Sequence, residues 1–377
     1  MYLKSWFGRF EAVSYRRPDP WLWLPAGILS ILGLLMVLNT TYFPGLEKTG
    51  DGFHFFKLQL VHIGLGLFAL GVLSQLSLRG LRRIAMPLMG ISLLMLIAIW
   101  IPGLGVVRGG ARRWLRLGPV LIEPSEFVKI AMVFFLAEFL SRRGDRIRQF
   151  NSGPLPIFLL ILPITAMMLK QPDFGATVMI VLITFAMLFA AGARPWHLGA
   201  AGAVALAALA LQAVSKAYRM RRLVSFLDPW QSARGAGFQL VQSYIALGAG
   251  GEWGVGLGAG RQKMFYLPQA HNDFIFAVIG EELGIAGALA VIGLFGVILF
   301  RGMRIAHDEP DPFASLLAVG LTALLSMQAL INIAVVIGLI PTKGLPLPFL
   351  SYGGTAMIMA MATLGALLAL GRRPAVR

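Results

Sequence analysis

The chain has 377 residues, 57% of them hydrophobic and 13% charged, with a net charge of +16 and a mean hydropathy of +0.76. Soluble domains carry about 25% charged residues, so this composition belongs to a polytopic membrane protein and is too apolar for a nucleic-acid binder despite its basic excess. Disulfides and thiolate metal sites are excluded, because there is no cysteine.

Residues 1–20 are polar and basic. The apolar run behind them is too long for a signal peptide and has no small-residue cleavage site, so it reads as a retained span. A span needs ~20 mostly apolar residues. On that basis ten are expected, at 21–42, 57–76, 84–101, 125–141, 154–170, 176–192, 197–214, 274–300, 313–340 and 354–371. Ten spans place both termini on one side of the membrane. With the termini inside, inner segments hold 17 Lys and Arg and outer segments 15, but eleven of the outer ones fall in 102–124 and 215–273. Elsewhere the outer side has four, which supports cytoplasmic termini. The expected fold is an all-α polytopic membrane protein of about ten transmembrane helices, with a large extracytoplasmic loop between helices 7 and 8. Residues 1–20 would be a cytoplasmic segment, 21–371 a single ten-helix domain and 372–377 a cytoplasmic tail.

The two cationic outer loops are the natural place for function. In the first, Arg112, Arg113 and Arg116 flank Trp114, and Glu126 and Lys129 follow at i,i+3 on the next helix. That pair either neutralises itself for burial or uses Lys129 to reach an anionic ligand group while Glu126 orients it. QPDFGAT at 171–177 offers Asp173, an acid beside a proline turn that serves equally well as a helix cap. The 59-residue connection 215–273 opens with YRMRRLVSFLDPW, which mixes Arg219, Arg221 and Arg222 with aromatics and suits an amphipathic segment on the outer leaflet. Glycine-rich GAGFQLVQSYIALGAGG and GEWGVGLGAG follow, as expected of a re-entrant segment with close backbone approach. No nucleotide-binding loop is present, because the GxGxxG and GxxxxGK[ST] spacings are both missing.

The stretch RQKMFYLPQAHNDFIFAVIGEELG at 261–284 is the focus. It sets Arg261, Lys263, an aromatic-proline turn and His271 ahead of Asp273, the last charge before an apolar helix. A carboxylate at that boundary stays available for chemistry, although aspartate there also N-caps helices. Glu281 and Glu282 lie ~12–14 Å further along the helix, too deep for the same proton, where packing or gating is the simplest role. Near the end, NIAVVIGLIPTKGLPLPFLSYGGT (332–355) places Asn332 inside a span, to be satisfied by a neighbouring helix. An irregular proline-rich segment follows, in which Lys343, Ser351 and the N–H groups around Gly353 and Gly354 could face a phosphate. A proline-rich surface loop is the alternative.

Several of these stretches together resemble the SEDS family, the FtsW/RodA group of cell-wall polymerases. They are RWLRLGPVLIEPSEFVK, FLDPW, GFQLVQSYIALGAGG, RQKMFYLPQAHNDFIFAVIGEELG and PTKGLPLPFLSYGGT. The likeness covers most of the chain from about residue 100. RQK, FYLP and AH before the acid and VIGEELG after it are closer to the FtsW branch. Two positions depart from the family's pattern: IEPSE stands where QPSE is usual, and HND where HTD is usual. The resemblance implies a peptidoglycan glycosyltransferase that joins lipid II units at the outer face of the bacterial cytoplasmic membrane. Its partners would be a class B penicillin-binding protein and other division or elongation proteins, and its essential acid maps onto Asp273.

The residues fit that chemistry on their own terms. Extending a lipid-linked glycan needs a base for the acceptor hydroxyl and positive charge on the departing pyrophosphate. An ordinary aspartate, with pKa ~3.9, takes such a proton only as the bond forms. Arg112, Arg113, Lys129, Arg261, Lys263 and Lys343 are candidates for the electrostatic part, and Glu126, His271 and Ser351 for further substrate contacts. Mg²⁺ or Mn²⁺ on hard oxygen ligands could share that work, but no dedicated cage is legible and no organic cofactor is expected. Two rivals come from other classes: a lipid II flippase, expected to keep its polar sites near the midplane, and a non-catalytic scaffold. Within the family, an elongation polymerase of the RodA type is the alternative.

Overall fold

Most helices of this chain start where a short polar side chain or a proline precedes an apolar run. The computed structural model describes residues 18–372 apart from 109, 119, 215–219, 221–223, 263–266, 268–269 and 343. Helix α1 (Pro20–Thr49) begins at Asp19, whose carboxylate accepts the Trp21 N–H, with Pro20 in the first helical position. Then come α2 (His54–Ser74), α3 (Leu78–Ala98), α4 (Pro124–Ser141), α5 (Pro154–Lys170), α6 (Phe174–Ala190) and α7 (Pro195–Val214). The C-terminal part holds α8 (Phe238–Gly250), α9 (Ile275–Asp308), α10 (Pro312–Val336) and α11 (Gly354–Gly371). Asp173 caps α6 through the Ala176 N–H, and Asp311 caps α10 through the Ala314 N–H.

Each of the ten expected apolar runs falls on a helix, namely α1 to α7 and α9 to α11. Among the described residues, α1, α2, α3, α9, α10 and α11 are long and apolar enough to cross a membrane. The boundaries differ where polar turns belong to the helix. Helix α3 starts at Leu78 rather than 84, because the Ser77 hydroxyl accepts the Gly80 N–H and Arg79, Arg82 and Arg83 ride on its first turns. Helix α1 likewise runs on past residue 42 to Thr49, where Gly50 in the left-handed region ends it.

The first cationic loop is not helical or irregular, as an all-α fold would have it. It forms a small antiparallel sheet of β1 (Gly105–Arg108), β2 (Ala111–Leu117) and β3 (Val120–Ile122), in the order β1-β2-β3. Val106 pairs with Trp114, and Leu115 with Ile122.

Helix α4 is the axis of the bundle. It packs on α3, α6 and α10, while α11 lies along α2 and α9 along α10 and α8. Its buried charges are each met by a neighbour. At one end Glu138 meets Arg82 at 2.9 Å and also pairs with Arg142, while Arg82 reaches Asp311 at 3.5 Å. Arg301 and Asp19 pair across α9 and α1. The opposite end carries the site.

Helix α9 is two helices in one. At Gly284 the backbone turns to φ +67°, ψ −167°, a conformation that only glycine adopts without strain. A side chain there would run into the backbone of Glu252 and Gly254. The glycine-rich turn after α8 fills the break. Val255 and Gly256 donate to the carbonyls of Glu281 and Glu282, and Ile285 and Ala286 donate to the carbonyls of Gly251 and Glu252. This bears out the expected close backbone approach of the glycine-rich stretch.

Candidate active site

Asp273 stands one residue ahead of the N-cap of α9, which is Phe274. Its surroundings are built by backbone carbonyls of three consecutive residues. Tyr352 N–H donates to the His271 carbonyl at 2.8 Å. The Ser351 hydroxyl donates to the Asn272 carbonyl at 2.6 Å. Asn332 Nδ2 donates to the Asp273 carbonyl at 2.8 Å. The aspartate is thus bolted to α10 and to the segment before α11, while its side chain remains only half-buried. Its carboxylate faces Gly344, where a Cβ would lie 2.9 Å from Asp273 Oδ2. Gly344→Ala is therefore expected to push the carboxylate aside and lower activity roughly tenfold or more, because ångström-scale misplacement at a reacting centre is costly. Unchanged turnover in that variant would mean the carboxylate is not held by this contact.

The proline-rich segment is held from beneath by α10. Asn332 also donates to the Leu345 carbonyl at 2.6 Å, and Gln328 Nε2 donates to that of Pro346 at 2.9 Å. Gln328 Oε1 in turn accepts from Lys129 at 2.8 Å, and Lys129 pairs with Glu126 at 2.8 Å. Lys129 is 1% exposed. A polar ladder therefore runs from α4 through α10 to the loop beside Asp273. A cavity with room for roughly one water adjoins Glu126, Lys129 and Gln328.

Asn332 was expected to be satisfied by a neighbouring helix; its amide instead donates to two carbonyls outside the helices, those of Asp273 and Leu345. Ser351 is 4% exposed, and its hydroxyl donates to one backbone group and accepts from the Leu347 N–H at 2.8 Å. Its place is under the aspartate rather than on a phosphate. Arg113 clamps the neighbouring loop, donating to the carbonyls of Gln171 and Pro172. Arg112 sits half-buried on β2, and Arg261 is exposed at the head of the segment leading to Asp273. Lys263 and Lys343 lie outside the described residues, as do Arg219, Arg221 and Arg222. His271 packs against Phe55 and Tyr352, with ring centroids 6.3 and 5.8 Å away. Burial, and then the charge of Lys48, hold its pKa down at about 4, so it is neutral at pH 7 and brings no charge to a pyrophosphate.

Glu123, the acid of the IEPSE departure, was not singled out by sequence reasoning. Its N–H donates to Thr355 Oγ1 at 3.1 Å, and its carboxyl accepts from Ser125 at 3.2 Å. Desolvation, followed by the charges of Glu126 and Asp173, raises its pKa from 4.5 to about 8 against the pull of Lys129 and Arg113. At neutral pH it is a protonated acid, close in shape and hydrogen bonding to the glutamine usual there. The folded chain keeps a proton between pH 4.5 and 8 that the unfolded chain has lost. Stability from this group is therefore full below 4.5 and falls as pH rises through that window, by at most about 1.4 kcal/mol per unit. Glu123→Gln is expected to flatten this slope, read as melting midpoints in detergent from pH 5.5 to 8.5. Equal slopes in both proteins would contradict the assignment.

Among the described residues, no three His, Cys, Asp or Glu side chains converge to hold a metal ion. Fold and site together define a helical membrane protein that presents the carboxylate of Asp273 at one end of the bundle. The sequence pattern of the cell cycle protein family of FtsW, RodA and SpoVE matches residues 20–374, and the chain belongs to this family. It is 40% identical over 348 residues to a probable peptidoglycan glycosyltransferase FtsW of Geobacter sp. (strain M18), covering 92% of this chain and 95% of that one. It is 40% identical over 355 residues to the stage V sporulation protein E of Bacillus subtilis (strain 168), covering 94% and 97%. Among solved structures, a chain of a peptidoglycan synthase complex that coordinates polymerization and crosslinking aligns with TM-score 0.76 and 32% identity, covering 94% and 98%. The rod shape determining protein RodA of Thermus thermophilus aligns with TM-score 0.69 and 29% identity, covering 94% and 97%.

Proposed function

We propose that this chain is a peptidoglycan glycosyltransferase that polymerises lipid II into glycan strands, in the division branch of its family. The observation that carries the reading is the half-buried Asp273, fixed by three hydrogen bonds to the backbone carbonyls of 271–273 at the end of the bundle where β3 leads into α4. The carboxylate takes the proton of the acceptor hydroxyl as that oxygen bonds to the donor sugar and the bond to the lipid pyrophosphate breaks. Arg261, exposed and twelve residues before Asp273 in sequence, is one described cation available to meet the departing pyrophosphate. A Mg²⁺ or Mn²⁺ ion would enter with the substrate, since one carboxylate plus pyrophosphate oxygens and water suits such ions.

On this reading the protein spans the bacterial cytoplasmic membrane ten times, with residues 1–20 and 372–377 in the cytoplasm and Asp273 outside. A class B penicillin-binding protein would crosslink the product, with other division proteins alongside. Transport is supported by one observation, the break in α9 with buried carboxylates beside it. Purified protein with fluorescent lipid II, with and without a transpeptidase partner, separates the two. Polymer formation supports the enzyme. Lipid II crossing liposomes without polymer would overturn it in favour of a flippase.

A further inference from the structure

Two acids in the body of α9 take no part in that mechanism, yet they are among the most buried polar groups of the chain. Glu281 is 3% exposed and Glu282 0%. Glu281 Oε1 accepts the Arg261 N–H at 2.8 Å, and both of its oxygens lie 3.3 Å from the Gln262 nitrogen. Glu282 Oε2 accepts the Gly258 N–H at 2.9 Å and Asn39 Nδ2 of α1 at 2.5 Å. The backbones of the same two residues accept from Val255 and Gly256. Each acid therefore grips the glycine hairpin twice, once with its carbonyl and once with its carboxylate.

The grip fits its place. A break at Gly284 leaves carbonyls before it and N–H groups after it without helical partners, and the hairpin satisfies both sets. The two segments touch closely: a Cβ on Gly250 would overlap the Gly280 carbonyl, and one on Gly260 would lie 2.8 Å from a carboxylate oxygen of each acid. The outer part of α9, from Ile275 to Leu283, is thereby fastened to the hairpin and to α1. That outer part is the base on which Asp273 stands, and the hairpin ends at Arg261.

We propose that Glu281 and Glu282 are positioning residues that latch the hairpin 250–262 into the break of α9, and so set Asp273 and Arg261 relative to one another. The role is defined for the polymerase reading and rests on it. Loss of the latch lets the Asp273-bearing half-helix turn about Gly284, so it lowers kcat for lipid II polymerisation more than it changes KM.

The test uses full-length protein and two independent readouts. Hydrogen exchange in peptides covering 254–262 reports the latch directly, whatever the activity. Steady-state polymerisation of lipid II reports its consequence. For Glu281→Ala, exchange at 258–262 is expected to rise at least tenfold without change in α4, and kcat to fall at least tenfold with KM within threefold. Glu281→Gln, which keeps a carbonyl acceptor, is expected to recover most of both. Asn39→Ala, which removes one donor from Glu282 and leaves both acids in place, covers the case in which Glu281→Ala does not fold, and is expected to shift both readouts the same way by a smaller factor. Unchanged exchange, or faster exchange with unaltered kcat, overturns the proposal. Wild-type protein that never forms polymer sinks the polymerase reading instead, and exchange still judges the latch.

Discussion

Asp273→Asn should yield a folded protein that makes glycan polymer about 10²–10⁴-fold more slowly than wild type, the range that loss of a positioned general base covers. The amide has the shape of the acid but cannot take the acceptor's proton. The three bonds that hold this turn are to backbone carbonyls of residues 271–273, so the substitution leaves them intact. A kinetic loss without a melting shift is the expected pattern. Wild-type polymerisation by the variant would end the catalytic assignment, and a large melting shift would recast Asp273 as structural.

Lys129→Ala is expected to show the opposite pattern. The sequence left open whether Lys129 reaches a ligand or neutralises Glu126. In the bundle its ammonium is 1% exposed and bonded to Glu126 and Gln328. Removing it strands a buried carboxylate and frees the amide that holds the Pro346 carbonyl. A destabilisation of about 3–5 kcal/mol follows from breaking such a pair. The double variant Glu126→Gln with Lys129→Met removes both charges and should regain most of that loss. Chemical or thermal denaturation in detergent decides the matter. A single variant as stable as wild type would show that the pair is dispensable to the fold. If the double variant is stable but saturates poorly with lipid II, Lys129 has a ligand role as well.

The candidate site shows why some residues were legible and others were not. Asp273 could be found from the chain alone, because the last carboxylate before a long apolar run is anomalous wherever the rest folds. The same holds for Asn332, a polar group inside an apolar run, and for the glycine-rich turn, whose composition permits close backbone approach. Ser351, Arg113 and His271 were candidates by residue type. Their final roles depend on partners 79, 58 and 59, and 81 positions away in the chain. No local pattern encodes such partners. Glu123 was not a candidate because its protonation follows first from burial and then from the acids and cations brought beside it from β2, α4 and the turn before α6.

The order of apolar and polar stretches by itself determined that this is a helical membrane protein, where nearly all its helices lie, and which carboxylate stands just ahead of the long apolar helix α9. Hydrophobic length and the cost of burying charge act locally along the chain, so they can be read from it. Tertiary structure alone decided that the cationic loop pleats into a sheet, that α9 breaks at Gly284 and that Glu281 and Glu282 fasten the hairpin there. Those outcomes turn on which backbone groups are left without partners once the helices have packed. Hydrogen-bond satisfaction of that kind is a property of the assembled bundle.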